Sequence, residues 1–465
     1  MTVQEAVPYL VTLLHVAAAA AVTVHALLQK REVGSAIAWI GLAWLSPVVG
    51  SVLYVTLGIN RVHRYAQQLQ RPSLRGRSGG DDPVVPLDGL AIAVGRITGR
   101  GLQTGNRIDI LTAGDGAYPQ MLDAIAAARS SVALSSYIFR VDEAGEAFIT
   151  ALSAAQRRGV EVRVLIDGIG GGYLLSPAYR RLRAEGVPAA RFLHSLLPWR
   201  MPFLNMRTHK KILVVDGRLA FTGGLNIGAE NLLAKAPRHP VRDTHFRVEG
   251  PVVAQLMEAF AEDWLFASGE RLSGTAWFPP LAAVGDVAAR VVTSGPDHDI
   301  EKMEYVLLNA IAVARRSIRI ATPYFLPDER LCCALEMATL RGISVDVVIP
   351  GKGNHPVLDW ATPAQVRPMI AAGCRVWRAP PPFVHSKLMT VDGCWTLVGS
   401  ANWDVRSLRL NFELDLEIHD DTFAAQVDAA IETRQCHRVT LADLDRLGFP
   451  IVLRDAAARL LLPYL

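Results

Sequence analysis

The feature that most constrains this 465-residue chain is a polar phrase that it contains twice. NMRTHKKILVVDGRLAFTGGLN occupies residues 205–226, and PFVHSKLMTVDGCWTLVGSAN occupies residues 382–402. The two phrases agree at His, Lys, Asp, Gly and Asn with the same spacing. One His-x-Lys pair means little alone, but here the whole pattern recurs in a chain with only 12 histidines. The repetition therefore indicates a shared chemical task.

The segments that surround the two phrases repeat as well. Helix and strand patterns follow each other in AIAAARSSVALSSYIF at 124–139 and in AFITALSAAQRRGVEVRVLIDG at 147–168. AIAVARRSIRIATPYF at 310–325 and CALEMATLRGISVDVVIPG at 333–351 have the same order. Residues from about 107 to 270 and from about 288 to 436 are therefore predicted to be two tandem copies of one α/β unit.

The domain boundaries follow from this repeat. The Phe-Pro-Pro break at 278–280 separates a first unit, predicted at 107–280, from a second unit, predicted at 281–465. The region before them, residues 61–106, is interpreted as a basic linker and lead-in, because residues 71–87 are rich in Arg, Pro, Gly, Ser and Asp. The two units are expected to face each other across a pseudo-twofold axis.

Each phrase is typical of a strand that ends in a hairpin turn. HKKILVVD has strand composition, and the Asp-Gly pair at its end is a strong hairpin signal. Because side chains alternate along a strand, His209 and Lys211 are predicted to share one face, with Asp216 on the other. The second phrase repeats this arrangement. The two motif aspartates, Asp216 and Asp392, are therefore interpreted as scaffold groups that tie the hairpin turns.

Brought together, the two phrases supply the side chains of a phosphate site. Their ammonium and amide groups can donate to non-bridging oxygens and offset the charge that grows in a transition state. One imidazole can attack phosphorus, and the other can protonate the leaving oxygen, so neither a metal nor a cofactor is required. The twofold repetition leaves open which histidine attacks. The candidates are His209, Lys211, Gly224 and Asn226 in the first phrase, and His385, Lys387, Ser400 and Asn402 in the second.

Two carboxylates outside the phrases are candidates to orient the imidazoles. Asp243 lies in RDTHFRVEG and Glu413 lies in NFELDLEI, and both segments have an alternating strand pattern. A carboxylate beside an imidazole fixes its orientation and tunes its pKa. Asp243 and Glu413 are therefore assigned as the orienting partners of the two histidines.

The first sixty residues contain two apolar runs without charge. The runs cover residues 6–28 and 33–60, and each is long enough to cross a bilayer, which takes about 20 helical residues. They predict a transmembrane hairpin over residues 1–60. Pro47 and Gly50 interrupt the second run, so a kink or a re-entrant turn is an alternative there.

Charge predicts the orientation of this hairpin. The arginines of residues 61–77 outnumber the basic residues of the loop, Lys30 and Arg31, which favours a cytoplasmic catalytic part. Over the whole chain the net charge is only +4, and no basic stripe alternates with stacking aromatics. Composition thus predicts a membrane as a partner and no nucleic acid. It leaves the oligomeric state open.

The paired phrases fit the pattern H-x-K-x4-D-x6-G-[G/S]-x-N, and the chain therefore resembles the phospholipase D superfamily, in particular its bacterial cardiolipin synthases. The likeness extends over most of the chain. It includes TGGLNIG at 222–228, RDTHFRVEGP at 242–251, TPYFLPDE at 322–329, GKGNHP at 351–356 and the N-terminal hairpin.

The resemblance implies a multi-pass enzyme of the bacterial inner membrane that transfers phosphatidyl from one phosphatidylglycerol to a second and releases glycerol. It implies a phosphohistidine on His209, with His385 as acid and then base. It also places Asp216 and Asp392 among the catalytic positions, beside their interpretation as scaffold groups.

Two stretches depart from this pattern or lie outside it. Trp403 stands where the family commonly has a smaller apolar residue, and it either reshapes the acceptor pocket or simply packs. FLHSLLPWRMPFL at 192–204 is apolar with Trp and Arg, and it is interpreted as a membrane-dipping segment or a buried loop.

Other functions remain as alternatives. The same site would hydrolyse phospholipids if water replaced the lipid hydroxyl, and other phosphatidyl transfers, including phosphatidylserine synthesis, use similar phosphodiesters. A nuclease is disfavoured by the apolar N-terminus, and a scaffold with a dead site is disfavoured because both His, both Lys and both Asn are present.

Overall fold

The computed structural model describes residues 3–29, 33–55, 85, 87–194, 206–297 and 299–460. The chain divides into a small unit, residues 1–69, and a large unit, residues 70–465. The loop at 30–32, the arginines of 61–77 and most of the apolar segment 192–204 lie outside the described residues. The predictions made for those segments stay predictions.

In its described residues, the small unit contains α1 Val3–Gln29, α2 Val33–Leu45 and α3 Pro47–Leu53. The second apolar run bends at Ser46, whose φ of −139° and ψ of 80° are not helical. The hydrogen bonding continues through the bend, since Gly50 N donates to Ser46 O at 2.5 Å. A Cβ on Gly50 would lie 2.3 Å from the Leu42 carbonyl oxygen, so the bend requires glycine there.

Side-chain hydrogen bonds join α1 to α2 and to the residue that follows α3. His25 Nδ1 and Tyr54 Oη are hydrogen-bonded at 2.7 Å, and Trp44 Nε1 donates to Thr23 Oγ1 at 3.0 Å. Among the described helices, only α1, over Tyr9–Leu28, is long and apolar enough to cross a membrane, and α2 is shorter. Length and composition therefore support one spanning helix, whereas the sequence predicted two.

The first described helix of the large unit is α4 Asp88–Thr98, and two halves follow it whose main strands and helices come in a similar order. The first half contains β1 Gln103–Thr112, α5 Ala113–Ala127, β2 Ser131–Ser136, α6 Glu143–Arg157, β3 Glu161–Asp167, α7 Pro177–Ala184, β4 Ala189–Phe192, β5 Arg207–Thr208, β6 Ile212–Val215, β7 Leu219–Gly223, two 3-10 turns (Ala229–Asn231 and Leu233–Lys235), β8 Val241–Arg242, β9 Thr244–Glu249 and α8 Val253–Ser268.

The second half contains β10 Val287–Ser294, α9 Lys302–Val313, β11 Ser317–Ala321, β12 Phe325–Leu326, α10 Glu329–Leu340, β13 Ser344–Pro350, α11 Pro356–Ala372, β14 Arg375–Ala379, β15 Phe383–Val384, β16 Leu388–Val391, β17 Trp395–Gly399, β18 Trp403–Asp404, α12 Val405–Arg409, β19 Asn411–His419, α13 Asp421–Glu432, β20 His437–Val439, α14 Leu441–Asp445 and α15 Phe449–Arg459. The elements after residue 436, for which the sequence offered no prediction, add edge strand β20 and the last two helices.

One mixed sheet passes through both halves. Its order is β20-β14-β13-β11-β16-β17-β19-β10-β1-β9-β7-β6-β2-β3-β4, with β5 paired to β19. The halves join where β1 and β10 pair antiparallel, and from that pair outward each half repeats the same strand order. The predicted pair of tandem α/β units is confirmed.

Each half has its own apolar core, and α4 contributes to the core of the half that is more distant in sequence. The core of the second half includes Leu90 and Val94 of α4, although α4 precedes the first half in sequence. The helix at 88–98, within the predicted linker and lead-in, thus packs in the core of the second half.

The Asp-Gly hairpins form as predicted. Asp216 and Gly217 have φ of 52° and 62°, and Asp392 and Gly393 have φ of 54° and 67°, which suits a tight antiparallel turn. The Asp216 carboxylate accepts hydrogen bonds from the backbone N–H groups of residues 129–131. Asp392 does the same for residues 315–317. Both carboxylates tie the hairpin to the start of β2 or β11.

Candidate active site

Each histidine of the repeated phrase is held against the opposite half of the large unit. β5, which precedes His209, pairs in parallel with the start of β19, and β15, which precedes His385, pairs in parallel with β8. The His209 N–H donates to the Phe412 carbonyl and the His385 N–H to the Arg242 carbonyl, both at 2.8 Å. The regular strands β6 and β16 begin only after the lysines, so the strands predicted to contain the histidines are shorter than expected.

This pairing of strands between the halves determines the partners of the imidazoles. His209 Nδ1 lies 2.9 Å from Glu413 Oε2, and His385 Nδ1 lies 2.6 Å from Asp243 Oδ2. The carboxylate of each half therefore orients the histidine of the other half. The two rings approach each other edge to face, with centroids 6.5 Å apart. A carboxylate at Nδ1 calls for the N–H there, which leaves Nε2 of each ring as the reactive nitrogen.

Burial governs the protonation of the four basic groups. It lowers the pKa of His209 well below its usual value and that of His385 to about 3, and neighbouring ammonium charges add to the effect. Burial also lowers the pKa of Lys211 to about 7 and that of Lys387 to about 8. Such a cluster of buried basic groups favours an anion, because a negative charge among them would raise all four pKa values and so favour their protonated forms.

The two orienting carboxylates differ in charge state. Burial would raise the pKa of Asp243, but the charges of Lys387 and His385 outweigh it and hold this pKa below its usual value. Burial raises the pKa of Glu413 to about 7, against the opposing charge of Lys211. Asp243 is therefore an anion at neutral pH, whereas Glu413 can hold or release a proton there.

Both lysines donate to the main-chain carbonyl of the histidine two residues before them, and Lys387 also lies beside an imidazole. Lys211 Nζ donates to the His209 carbonyl at 2.5 Å and lies 5.4 Å from the centre of the Tyr137 ring. Lys387 Nζ lies 2.9 Å from Nδ1 and 3.1 Å from Nε2 of His385, and it also donates to the His385 carbonyl. Both ammonium groups are thus in position to bind an anion that reaches the histidines.

The motif asparagines are held by local contacts. Asn226 Oδ1 accepts from the Ile138 N–H at 3.2 Å, which leaves its amide donors for other groups. Asn402 Nδ2 donates to Ser407 Oγ at 3.1 Å. Among the residues with described positions, Asn402 Oδ1 has no hydrogen-bond partner although it is buried.

The small residues of the two motifs contact the orienting carboxylates. A Cβ on Gly224 would lie 2.1 Å from Asp243 Oδ1, so only glycine fits beside that carboxylate. At the equivalent place Ser400 Oγ donates to Glu413 Oε2 at 2.5 Å. The structure places Gly224 and Ser400 beside the orienting carboxylates, and their predicted role in binding phosphate stays a prediction.

The site opens into a cleft with a volume of about 1270 Å³. Both histidines and both motif asparagines line it. This volume exceeds the roughly 300–1,000 Å³ of usual small-molecule pockets, so the cleft suits a large ligand. In the described part of the chain, no group of three or more His, Cys, Asp or Glu side chains is arranged to hold a metal ion.

Sequence reasoning did not single out four further residues of the cleft: Tyr137, Tyr324, Arg207 and Arg406. The Tyr137 ring meets that of His209 edge to face at 5.0 Å, and the Tyr324 ring meets that of His385 at 6.4 Å. These tyrosines occupy the same place in the two repeats, SSYIF and TPYFL, so the repeat itself contained this signal. Trp403 is buried at 5.9 Å from the Phe325 ring, which agrees with a packing role.

Comparison with known proteins identifies relatives of the whole chain. A family model described as "Cardiolipin synthase, PLD-like domain" matches residues 121–264 and 307–434. A protein named cardiolipin synthase 1 from Bacillus anthracis is 33% identical, covering 83% of this chain and 80% of its own length. Cardiolipin synthase A from Pseudomonas fluorescens is 32% identical, covering 98% of both chains. The crystal structure of a phosphatidylserine synthase from Haemophilus influenzae has the same fold, with a TM-score of 0.61 at 15% identity over 77% of this chain and 95% of its own.

Proposed function

This chain belongs to the cardiolipin synthase family with phospholipase D-like domains, and from that premise we propose that it transfers phosphatidyl between two phosphatidylglycerol molecules, giving cardiolipin and glycerol. The observation that carries the proposal is the pair of imidazoles at one cleft, each oriented by a carboxylate from the opposite half. Two ammonium groups, which donate to the main-chain carbonyls of these histidines, supply charge for a phosphodiester.

The first step forms a covalent intermediate. His209 Nε2 attacks phosphorus of the first phosphatidylglycerol, and a phosphorus–nitrogen bond forms while the bond to the glycerol oxygen breaks. His385 donates its proton to that oxygen, and glycerol leaves as a neutral alcohol. The lysines and asparagines donate to the non-bridging oxygens, where charge grows in the transition state.

In the second step His385 acts as a base and His209 is the leaving group. His385 removes the proton from a hydroxyl of a second phosphatidylglycerol, and that oxygen attacks phosphorus as the phosphorus–nitrogen bond breaks. Cardiolipin forms, His209 returns to its neutral state, and His385 regains its proton.

The carboxylates support this assignment of roles. An acid must be an imidazolium, and Asp243, whose pKa is held below its usual value, is the stronger anion to stabilise one on His385. Burial and the charge of Lys387 lower the pKa of His385 to about 3 even beside Asp243, so the charge of the bound phosphodiester has to raise it. Glu413, with a pKa raised to about 7 by burial, can take the Nδ1 proton of His209 when that ring is phosphorylated. Asp216 and Asp392, which tie backbone N–H groups, act as scaffold.

The decisive experiment follows the products of labelled phosphatidylglycerol vesicles. Cardiolipin and glycerol in equal amounts support transfer between lipids. Phosphatidic acid with little cardiolipin means that water is the acceptor, and the chain is then a hydrolase. Acid quench of a single turnover and detection of phosphorylated His209 test the intermediate, and its absence at rapid mixing times contradicts the covalent path.

We also propose that both apolar runs cross the bacterial inner membrane and leave the large unit in the cytoplasm. Together α2 and α3 cover residues 33–53, and the bend at Ser46 keeps its backbone hydrogen bonds, as a span in lipid requires. Cysteines introduced at Arg31 and Arg75 test this topology in intact cells. Labelling of the first alone by an impermeant reagent supports a hairpin, and labelling of both contradicts it.

A further inference from the structure

The last described helix of the chain, α15, presents apolar side chains to the outside. Phe449, Val452 and Leu453 are exposed, and so is Leu460 directly after the helix, at 74%. In the described part of the large unit, no other helix exposes more than two large apolar residues. A concentration of this kind marks a surface that contacts a partner or a membrane.

The four residues form one face, called here the apolar face of α15. Val452 and Leu453 follow Phe449 by three and four positions, and Leu460 follows Leu453 by seven. Because an α-helix has about 3.6 residues per turn, these spacings align the side chains along one side of the helix. A helix of the core turns such a side inward, whereas α15 leaves it exposed.

The opposite side of α15 attaches the helix to α11. Asp455 and Ala458 are buried, and Ala458 packs in one cluster with Ala361 of α11. The guanidinium carbon of Arg454 lies over the ring of Trp360, 4.8 Å from its centre. The apolar face therefore points away from α11, and α15 has its packing contact without it.

α11 connects this surface to the substrate cleft. Pro356, Val357 and Leu358 of its first turn line the cleft. Val357 and Leu358 also pack against the cluster that contains Ala458 of α15. Only the side chains of α11 thus separate α15 from the cleft, which places the apolar face close to the route by which a substrate enters.

The charges of α15 suit the surface of a bilayer. At about 100° of rotation per residue, Arg454 and Arg459 lie on opposite flanks of the apolar face, and both are exposed. A helix in the membrane interface has this arrangement, since the long arginine stems follow the apolar side while their charged ends reach the headgroups. The sequence after Leu460, LLPYL at 461–465, is also apolar and contains a tyrosine, a residue that favours the interface.

We propose that the apolar face of α15 lies in the headgroup layer of the phospholipid bilayer and holds the cleft at the membrane surface. This inference rests on the membrane phospholipid that the proposed function takes as substrate. A second copy of the chain or another protein would cover an apolar face equally well. The flanking arginines and the neighbouring cleft favour the bilayer, because its lipids are both anionic and the source of the substrate.

A fluorescent label on the apolar face tests the contact without any turnover. The full chain with Leu453→Cys is labelled and reconstituted in phosphatidylglycerol vesicles whose lipids have a nitroxide quencher near the headgroup. Serine first replaces the native cysteines that are not buried, which are Cys333, Cys394 and Cys436. We expect the label to lose at least half of its fluorescence. The same label on Arg157→Cys, whose side chain is 62% exposed on α6, is the control and should lose less than a tenth.

The possible results separate the occupants. A label at position 453 that stays unquenched overturns the inference, because water or protein then covers the face. Equal quenching at both positions also overturns it, because the contact is then not specific to α15.

A double variant tests the consequence for the reaction. Phe449→Asp with Leu453→Asp should lower glycerol release from phosphatidylglycerol vesicles at least fivefold. It should change release from a short-chain phosphatidylglycerol, dissolved as monomers, less than twofold, which also shows that the variant is folded. Leu340→Asp, at an equally exposed leucine of α10, is the matched control and should change both rates less than twofold.

An unchanged rate on vesicles overturns the inference, and so does an equal loss on both substrates, because the face would then serve the fold. A wild-type protein that turns over neither form of phosphatidylglycerol instead refutes the proposed function. The quenching result stands apart from that failure, since it needs no reaction.

Discussion

The carboxylate of Asp243 offers the sharpest test of the proposed chemistry. Its Oδ2 lies 2.6 Å from His385 Nδ1, and its pKa is held below the usual value by Lys387 and His385. Asp243→Asn keeps an oxygen that can accept the Nδ1 proton, so the imidazole stays oriented. What the substitution removes is the negative charge beside the imidazolium that proton donation requires.

The magnitude follows from electrostatics. Two unit charges about 4 Å apart interact by about 4 kcal/mol at an effective dielectric constant of about 20. If that attraction is lost when His385 is protonated, and each 1.4 kcal/mol is about tenfold in rate, kcat falls about a thousandfold. The assay is the initial rate of glycerol release from phosphatidylglycerol vesicles, with thermal unfolding as the check that the variant is folded.

Glu413→Gln is the matched variant on the other histidine. Since the pKa of Glu413 is already raised to about 7 and His209 acts as a neutral nucleophile, the expected loss is smaller, about ten- to a hundredfold. A greater loss in Glu413→Gln than in Asp243→Asn would reverse the roles of the histidines. A loss below tenfold in Asp243→Asn would refute the reasoning from charge.

Four further outcomes are expected. His209→Ala and His385→Ala each abolish lipid turnover, and substantial turnover in either contradicts a single shared site. Chelation by EDTA leaves activity mostly intact, and complete loss restored by a divalent ion would contradict metal-free chemistry. Gly224→Ala lowers activity at least tenfold in the vesicle assay, because its Cβ would meet Asp243 Oδ1 at 2.1 Å. Glu413→Gln raises the melting temperature at pH 8 but not at pH 4. Folding raises the pKa of the wild-type carboxyl from 4.5 to about 7, so the wild-type protein loses stability as the pH rises from 4.5 to 7. Equal shifts of the melting temperature at both pH values would contradict this burial effect.

The sequence predicted the elements whose signals are local. The Asp-Gly pairs set two hairpins, because a turn with two left-handed residues needs those residue types. The repeat predicted two α/β units, since helix and strand periodicities recur in the same order. Asp243 and Glu413 were identified as orienting groups because each follows its phrase in a segment of strand pattern.

Long-range pairing could not be predicted in the same way. The assignment of Glu413 to His209 depends on the pairing of β5 with β19, two segments from opposite halves that nothing in their composition connects. The placement of Leu90 in the core of the second half likewise depends on how the halves pack. Arg207 was missed because it lies in the first phrase where the second has Phe383, and Arg406 because it lies after the second phrase, so neither belongs to the shared pattern.

Each half supplies the carboxylate that orients the histidine of the other half, so the site forms only when the two halves are docked. A nascent or damaged chain whose halves fail to dock leaves both imidazoles without an anion, so neither is oriented for attack on phosphorus. Under the proposed function, a misassembled copy would therefore be inert toward the phospholipids around it.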